Sequence, residues 1–232
     1  MEPSATQIIT IDGPAGCGKS TVACSLAKQL GGLAFSSGAI YRAVTYLALE
    51  NGVDLEQPQQ LVALIQSHKL CIEERGGELK VLIDGKDPGS ALKSSRVTRE
   101  IHWIADAPQV REALLPLQRA IGSPRPVIAE GRDLGTVVFP EARIKIFLTA
   151  TVEERVRRRH QELRAKLGEE INFARVYEEV ERRDRFDRER SEAPLKVPDG
   201  AMEVDTTGLS VSQVVAEIID GIRQDGVAKP PG

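Results

Sequence analysis

Gly13-Pro14-Ala15-Gly16-Cys17-Gly18-Lys19-Ser20 fits the spacing G-x-x-x-x-G-K-[ST], the signature of a loop that cradles phosphates. The flanking residues supply the context that the motif requires. Ile8-Ile9-Thr10-Ile11 is a short apolar, β-branched run of the kind found in strands buried on both faces. After the loop Val22, Leu26 and Leu30 recur at helical spacing, with Ala23 and Ala27 beside them. Glycines let the backbone turn sharply and aim its N–H groups at a polyphosphate, and the positive end of the following helix adds to that attraction. Lys19 is then placed to reach the β and γ phosphates, and Ser20 to ligate Mg2+. The loop predicts binding of a nucleoside triphosphate and leaves open what is done with it.

A length of 232 residues suits one medium α/β domain with room for an inserted subdomain. The net charge of −3 gives no global pull towards nucleic acid or an anionic membrane, so any basic site must be local. No apolar run reaches the length of a membrane span and the first residues start no secretory signal, which predicts a cytoplasmic protein. Cys17, Cys24 and Cys71 are odd in number and lack zinc-ligand spacing, so reduced thiols are expected. Cys17 reads as a small filler of the loop.

Outward from the loop, Leu33-Ala34-Phe35 is a second strand, followed by Ser36-Ser37-Gly38 and a helix over 39–50 that Asn51-Gly52 ends. Residues just past a strand's carboxyl end face the ligand crevice of a parallel sheet, which places Ser37, Tyr41 and Arg42 near the first loop. Arg42 is placed to grip a second phosphate; a surface helix charge is the competing reading. A short helix over 59–66 precedes a β-hairpin, 70–75 and 79–84, turning at Gly76-Gly77. A hairpin that interrupts a parallel pattern signals an insert, at about 53–95.

Helices follow over 97–105 and 110–121, then a third buried strand, Val127-Ile128-Ala129, with the charge cluster Glu130-Gly131-Arg132-Asp133 at its carboxyl end. Residues 144–148 and 202–205 read as further strands, and 211–222 as a last helix. Between them lie two arginine-rich segments, Arg155 to Arg159 and Arg182 to Arg190, laced with acidic residues as in solvent-facing helices. The sum is an α/β fold, a five-stranded parallel sheet flanked by helices. A switch GTPase is disfavoured because Asn51 and Asn172 are the only asparagines and neither stands in Asn-Lys-x-Asp. A kinase must hold two anionic substrates together, and Arg42, Arg132, Arg158 and Arg190 come from separate segments.

Ser37-Gly38-Ala39-Ile40-Tyr41-Arg42, Gly131-Arg132-Asp133-Leu134-Gly135-Thr136, Phe139-Pro140, Arg183-Asp184-x-x-Asp187-x-x-Arg190 and Ala193-Pro194-Leu195, added to the phosphate loop, resemble the bacterial cytidylate kinase family. The similarity runs from about residue 7 to residue 222. It implies a single P-loop kinase domain over 1–232, with a β-rich nucleoside-monophosphate-binding region at about 37–105 and an arginine-rich lid at about 155–175. It implies transfer of the γ-phosphoryl of ATP to CMP or dCMP with Mg2+, by a monomer that binds neither nucleic acid nor membrane. A broader UMP/CMP kinase, or a kinase of another small acceptor, is the alternative.

The resemblance also implies roles. Gly13, Pro14, Ala15, Gly16, Cys17, Gly18, Lys19, Ser20 and Thr21 would hold ATP, with Arg158 and Arg159 closing over it from the lid. Arg42, Arg132 and Arg190 would hold the CMP phosphate, Arg183 and Asp187 the ribose, and Ser37, Arg111 and Asp133 the nucleoside side of the pocket. Cytosine offers a donor at N4 beside acceptors at N3 and O2, which a carboxylate and a guanidinium complement. His102 stands where the family commonly has a base-reading serine, and Ser36 where an aspartate is usual. Lys19, Arg132, Arg158 and Arg190 are the expected catalytic set. A nucleotide-dependent RNA-binding module, built on the arginine-rich helices, is disfavoured by the acidic balance and by an aromatic content of only 4%.

Overall fold

The computed structural model describes residues 8–167 and 171–224. In chain order the elements are β1 (Ile8–Asp12), α1 (Lys19–Leu30), β2 (Leu33–Ser36), α2 (Gly38–Glu50), α3 (Pro58–Ser67), β3 (Leu70–Arg75) and β4 (Glu78–Ile83). Then come α4 (Ser95–Ala105), α5 (Pro108–Arg119), β5 (Val127–Glu130), β6 (Ile144–Thr149), α6 (Val152–Leu167), α7 (Phe173–Glu189), β7 (Met202–Asp205) and α8 (Val211–Gln224).

The β-branched run that precedes the phosphate loop becomes an interior strand of the sheet. β1 is buried at every position and pairs in parallel with β5 on one side (Ile8↔Val127) and β6 on the other (Ile9↔Ile144). β2 pairs with β5 and β7 with β6, also in parallel. Helices cover both faces, as an all-parallel sheet demands. Val22 and Leu26 of α1 and Val214, Val215 and Ile218 of α8 pack on Ile9, Ile11, Ile146 and Leu148. On the opposite face Ile40, Val44 and Leu47 of α2, Leu61 of α3 and Leu114 of α5 pack on Phe35, Val127 and Ala129. A third, smaller cluster of Val156, Val176 and Val180 joins α6 to α7.

The strand count corrects the expectation of five. The sheet has seven strands in the order β3-β4-β2-β5-β1-β6-β7. The five predicted strands lie side by side in it, and the hairpin β3-β4 joins their edge through the parallel pair Ala34↔Glu78 instead of standing apart, so that β4 extends the parallel run and β3 alone is antiparallel. The physical reason is the free edge of β2, whose unpaired backbone groups any neighbouring strand can satisfy. A second departure lies after β5, where residues 134–138 form a single π-helical turn closed by Phe139 N–H on the Leu134 carbonyl at 2.7 Å.

The described helices include none long and apolar enough to cross a membrane. The lid boundaries of 155–175 span most of α6 and the start of α7, and residues 168–170 of that range lie outside the described residues.

Candidate active site

The carboxyl ends of β1, β2 and β5 converge, and the chain leaving each carries polar groups to one crevice, as open α/β sheets do. The loop from β1 to α1 is packed as well as turned. A side chain on Gly13 (φ +148°) would collide with the Leu148 carbonyl oxygen, and one on Gly16 (φ +80°) would sit 3.1 Å from both Cβ and the carbonyl oxygen of Arg155. Lys19 opens α1 with its side chain buried, Nζ donating to the Pro14 carbonyl at 2.7 Å and lying 3.7 Å from Cys17 Sγ. Cys17 fills the loop from a fully buried position, whereas Thr21 is exposed. Ser20 Oγ donates to Glu130 Oε1 at 2.8 Å, so the loop is tied to the end of β5.

On the other side of that tie, Ser37 N–H and Oγ both approach the Glu130 carbonyl, at 3.0 and 3.1 Å, holding the ends of β2 and β5 together. Arg42, on the first turns of α2, donates through Nη1 to Leu92 O at 3.1 Å and Thr98 Oγ1 at 2.8 Å. Arg132 donates through Nε to Asp187 Oδ2 at 2.7 Å and through Nη1 to Gly131 O at 3.2 Å. Asp133 is buried against Arg111, whose Nη1 donates to Ala105 O at 3.0 Å and whose guanidinium lies over the Tyr41 ring at 5.5 Å. Arg183 and Asp187 are four residues apart on α7 and share a face, and Arg190 follows at the helix end. Arg190 donates through Nε to Ala193 O at 2.7 Å, while its buried Nη2 lies 3.9 Å from Asp133 Oδ1 with no hydrogen-bond partner.

The electrostatics place these cations around a common space. Burial lowers the pKa of Lys19, and Arg132 lowers it further. Arg42 is lowered by burial and then by Arg159 and Arg132. Arg183 is brought down to about 10 by burial, helped by Arg132, Arg42 and Arg159. Burial acts on Arg132 in the same direction, but the Asp187 carboxylate more than reverses it. Asp187 itself sits below the usual carboxylate range because Arg132 outweighs the burial that would raise it. Cations that depress one another gain most from a polyanion between them.

For a cation, Ser20 and Glu130 present hard oxygen atoms side by side, the donor type that Mg2+ prefers. Among the described residues no group of three or more His, Cys, Asp or Glu side chains could hold a metal ion by itself.

Asp12 faces elsewhere. Its buried carboxylate accepts from the N–H groups of Leu134 at 2.9 Å and Gly135 at 2.7 Å, anchoring the π-helical turn that follows Arg132 and Asp133. Burial pushes its pKa up to about 6 against those two hydrogen bonds. A raised folded-state value means that the group's stabilising contribution is complete below its unfolded value of 3.8 and is lost as pH rises through about 6. Relative to Asp12→Asn, the stability of the native sequence is therefore expected to fall by roughly 3 kcal/mol between those limits. Denaturant melts of both proteins at a series of pH values measure it, and a pH-independent difference would contradict it.

Of three further predicted residues, His102 stands apart from this cluster, Arg158 reaches its loop through a 3.4 Å bond from Nη1 to the Cys17 carbonyl, and Arg159 lies at its edge. His102 stacks on Phe186 at 5.7 Å and against Trp103 at 4.8 Å, with Nδ1 at 2.9 Å from the Arg99 carbonyl, and no hydrogen bond joins it to Arg111 or Asp133. Arg158 is held by Glu154, by Thr206 Oγ1 at 2.9 Å and by Thr206 O at 2.6 Å, beside the phosphate loop. Arg159 pairs with Glu162 at 3.0 Å while still acting electrostatically on Arg42 and Arg183. Sequence reasoning missed Arg155 and Asp184, which form a buried ion pair at 2.7 Å. The available signal was Asp184 itself, a charge that continues the Val176–Val180 stripe of α7.

Comparison with known proteins identifies a family. The cytidylate kinase family model matches residues 9–224. A cytidylate kinase of Enterococcus faecalis is 44% identical over 218 residues, covering 94% of this chain and 96% of that protein. One from Caldanaerobacter subterraneus is 41% identical over 217 residues, with 94% and 95% covered. A third, from Carboxydothermus hydrogenoformans, is 44% identical over 212 residues, with 91% and 95% covered. A match of this extent, over a chain whose crevice gathers a phosphate loop and converging arginines, places the protein in the cytidylate kinase family.

Proposed function

We propose that this protein transfers the γ-phosphoryl group of ATP to CMP and dCMP, in line and without a general base. The observation that carries the reading is the convergence of Lys19, Arg42, Arg132, Arg159 and Arg183 on one crevice, where Asp187, Glu130 and Glu162, the last paired with Arg159, are the opposing charges. Two phosphate-bearing substrates would balance that excess.

In this assignment residues 13–21 bind ATP, with Lys19 neutralising the β and γ phosphates. Mg2+, when bound, supplies further neutralisation of the phosphate oxygens; Ser20 would hold it directly and Glu130 through water. Arg42, Arg132 and Arg190 hold the CMP phosphate. Arg190 brings a buried Nη2 without a hydrogen-bond partner, 3.9 Å from Asp133 Oδ1, which an entering phosphate would satisfy. The attacking oxygen belongs to a phosphate already largely dianionic at neutral pH, so no proton needs removing first. Asp187 and Arg183 hold the ribose, Asp133 and Arg111 read cytosine, and Ser37 fixes the wall between loop and acceptor. His102 acts from the rim of α4. Arg158 and Arg159 belong to a lid at about 155–175 that closes over ATP, and the region at about 37–105 forms the acceptor-binding part of a single domain. The residues converging from both segments then stabilise the charge that develops during transfer. We place the protein in the cytoplasm, working as a monomer.

An ADP-release assay across CMP, dCMP, UMP, AMP and GMP tests this. CMP and dCMP are expected to stimulate turnover at least 100-fold over ATP alone, with UMP far behind, because uracil reverses the hydrogen-bonding pattern at positions 3 and 4. No stimulation by CMP overturns the reading, and a UMP rate equal to that of CMP replaces it with a broader pyrimidine kinase.

A further inference from the structure

Arg155 is the largest fully buried side chain in the described structure, at 1% exposure, on a helix otherwise rich in surface arginines. Each of its three nitrogens is engaged, and with a different segment. Nε donates to Ala150 O at 3.0 Å, just past the carboxyl end of β6. Nη1 donates to Ala15 O at 3.1 Å, inside the phosphate loop. Nη2 meets Asp184 Oδ2 at 2.7 Å, on α7. The backbone of Gly16 also rests on Arg155 so closely that a Cβ there would lie 3.1 Å from its Cβ and its carbonyl oxygen.

Asp184, at 4% exposure, lies between Arg183 and Asp187 in sequence and continues the buried Val176–Val180 stripe of α7, where it meets Arg155. Among the described residues its only other ionic neighbour is the exposed Arg188, 3.9 Å away, and its Oδ1 has no hydrogen-bond partner there. A buried carboxylate so sparsely satisfied is a poor device for stability alone, since apolar residues of similar volume often serve as well or better.

From these contacts we infer that Arg155 and Asp184 are positioning residues, a strut that sets the distance between the phosphate loop and the face of α7 carrying Arg183, Asp187 and Arg190. The inference rests on the proposed function in that the loop holds one substrate and α7 the other. Phosphoryl transfer requires the two to meet in register, and a displacement of about 1 Å costs on the order of 100-fold in rate. The strut touches neither substrate, so it acts on kcat and leaves binding nearly untouched.

Asp184→Asn keeps the shape and removes the charge, whereas Arg155→Lys keeps the charge and loses the fork. Each is expected to lower kcat about 10- to 100-fold while the KM values for ATP and CMP change by less than about 3-fold. The pair R155M with D184L removes both buried charges together; it is expected to fold, to melt above Asp184→Asn, which leaves Arg155 a buried cation without its counter-charge, and still to be slow. A folded paired variant with native kcat overturns the inference, and so does a rate loss that tracks the loss of folded protein. Amide exchange supplies a reading that needs no turnover: Asp184→Asn is expected to speed exchange at 13–18, a segment joined to Asp184 through Arg155, and unchanged exchange there overturns the strut. If the native protein fails to act on CMP, the proposed function falls while this measurement still decides the strut.

Discussion

Lys19→Met is expected to lower kcat about 1000-fold while leaving the protein folded. The loss corresponds to about 4 kcal/mol of transition-state stabilisation, the scale seen when a single preorganised charge donor is removed from a water-excluded site. Methionine matches the length of the lysine stem and lacks its charge. The fold should tolerate the change because two effects oppose each other. The variant loses the 2.7 Å hydrogen bond to the Pro14 carbonyl, and it is relieved of a buried ammonium whose protonation burial already disfavours. ATP affinity should weaken by less than about 10-fold, since the loop's backbone N–H groups and the start of α1 still face the phosphates. Steady-state rates with saturating ATP and CMP, beside a thermal melt, measure both halves. A kcat within 10-fold of the native value would mean that the transferred group does not sit at this loop.

The parts of the fold that sequence made legible are those in which one local pattern has one structural outcome. The loop motif, the β-branched run of β1 and the strand exits at Ser37 and Glu130 belong to this class. The hairpin was legible as a hairpin, yet its attachment was not, because strand periodicity says nothing about which edge a strand will meet; a single pair, Ala34↔Glu78, makes the connection. The arginines show the same limit at the level of the site. In Arg155-Val156-Arg157-Arg158-Arg159 the residue type is nearly constant, and direction off the helix decides the role. Arg155 is buried on Asp184, Arg157 lies in solvent on Glu154, Arg158 reaches Thr206 and Arg159 turns toward the cationic crevice. Charge interleaving predicted a solvated helix, which describes Arg157 and misses Arg155. The π-helical turn was likewise invisible, because it depends on Asp12, more than 120 residues away in sequence, accepting from Leu134 and Gly135.

Asp133→Ala is expected to abolish the choice between CMP and UMP and to destabilise the protein, while ATP binding stays within about 3-fold of native. Asp133 is buried in contact with Arg111, and Arg111 is fixed from its other side by Ala105 O and the Tyr41 ring. That rigid pair presents one acceptor and one donor direction, the complement of N4 beside N3 and O2 in cytosine. Without the carboxylate, N4 has no acceptor and uracil O4 meets nothing repulsive, so kcat/KM for CMP should drop 100- to 1000-fold and approach that for UMP. The structural cost follows from the same contact. Arg111 is left as a buried cation without its counter-charge, a change worth about 3–5 kcal/mol, and the melting midpoint should fall by on the order of 10 °C. Asp133→Asn separates the two effects. Its amide oxygen can still accept from Arg111, which restores most of the stability, while its NH2 opposes N4 of cytosine and suits O4 of uracil. This variant should therefore be more stable than Asp133→Ala and turn the preference toward UMP. Should both variants lose ATP affinity as much as CMP turnover, Asp133 would be a support of the phosphate loop, and the base would have to be read from another wall of the crevice.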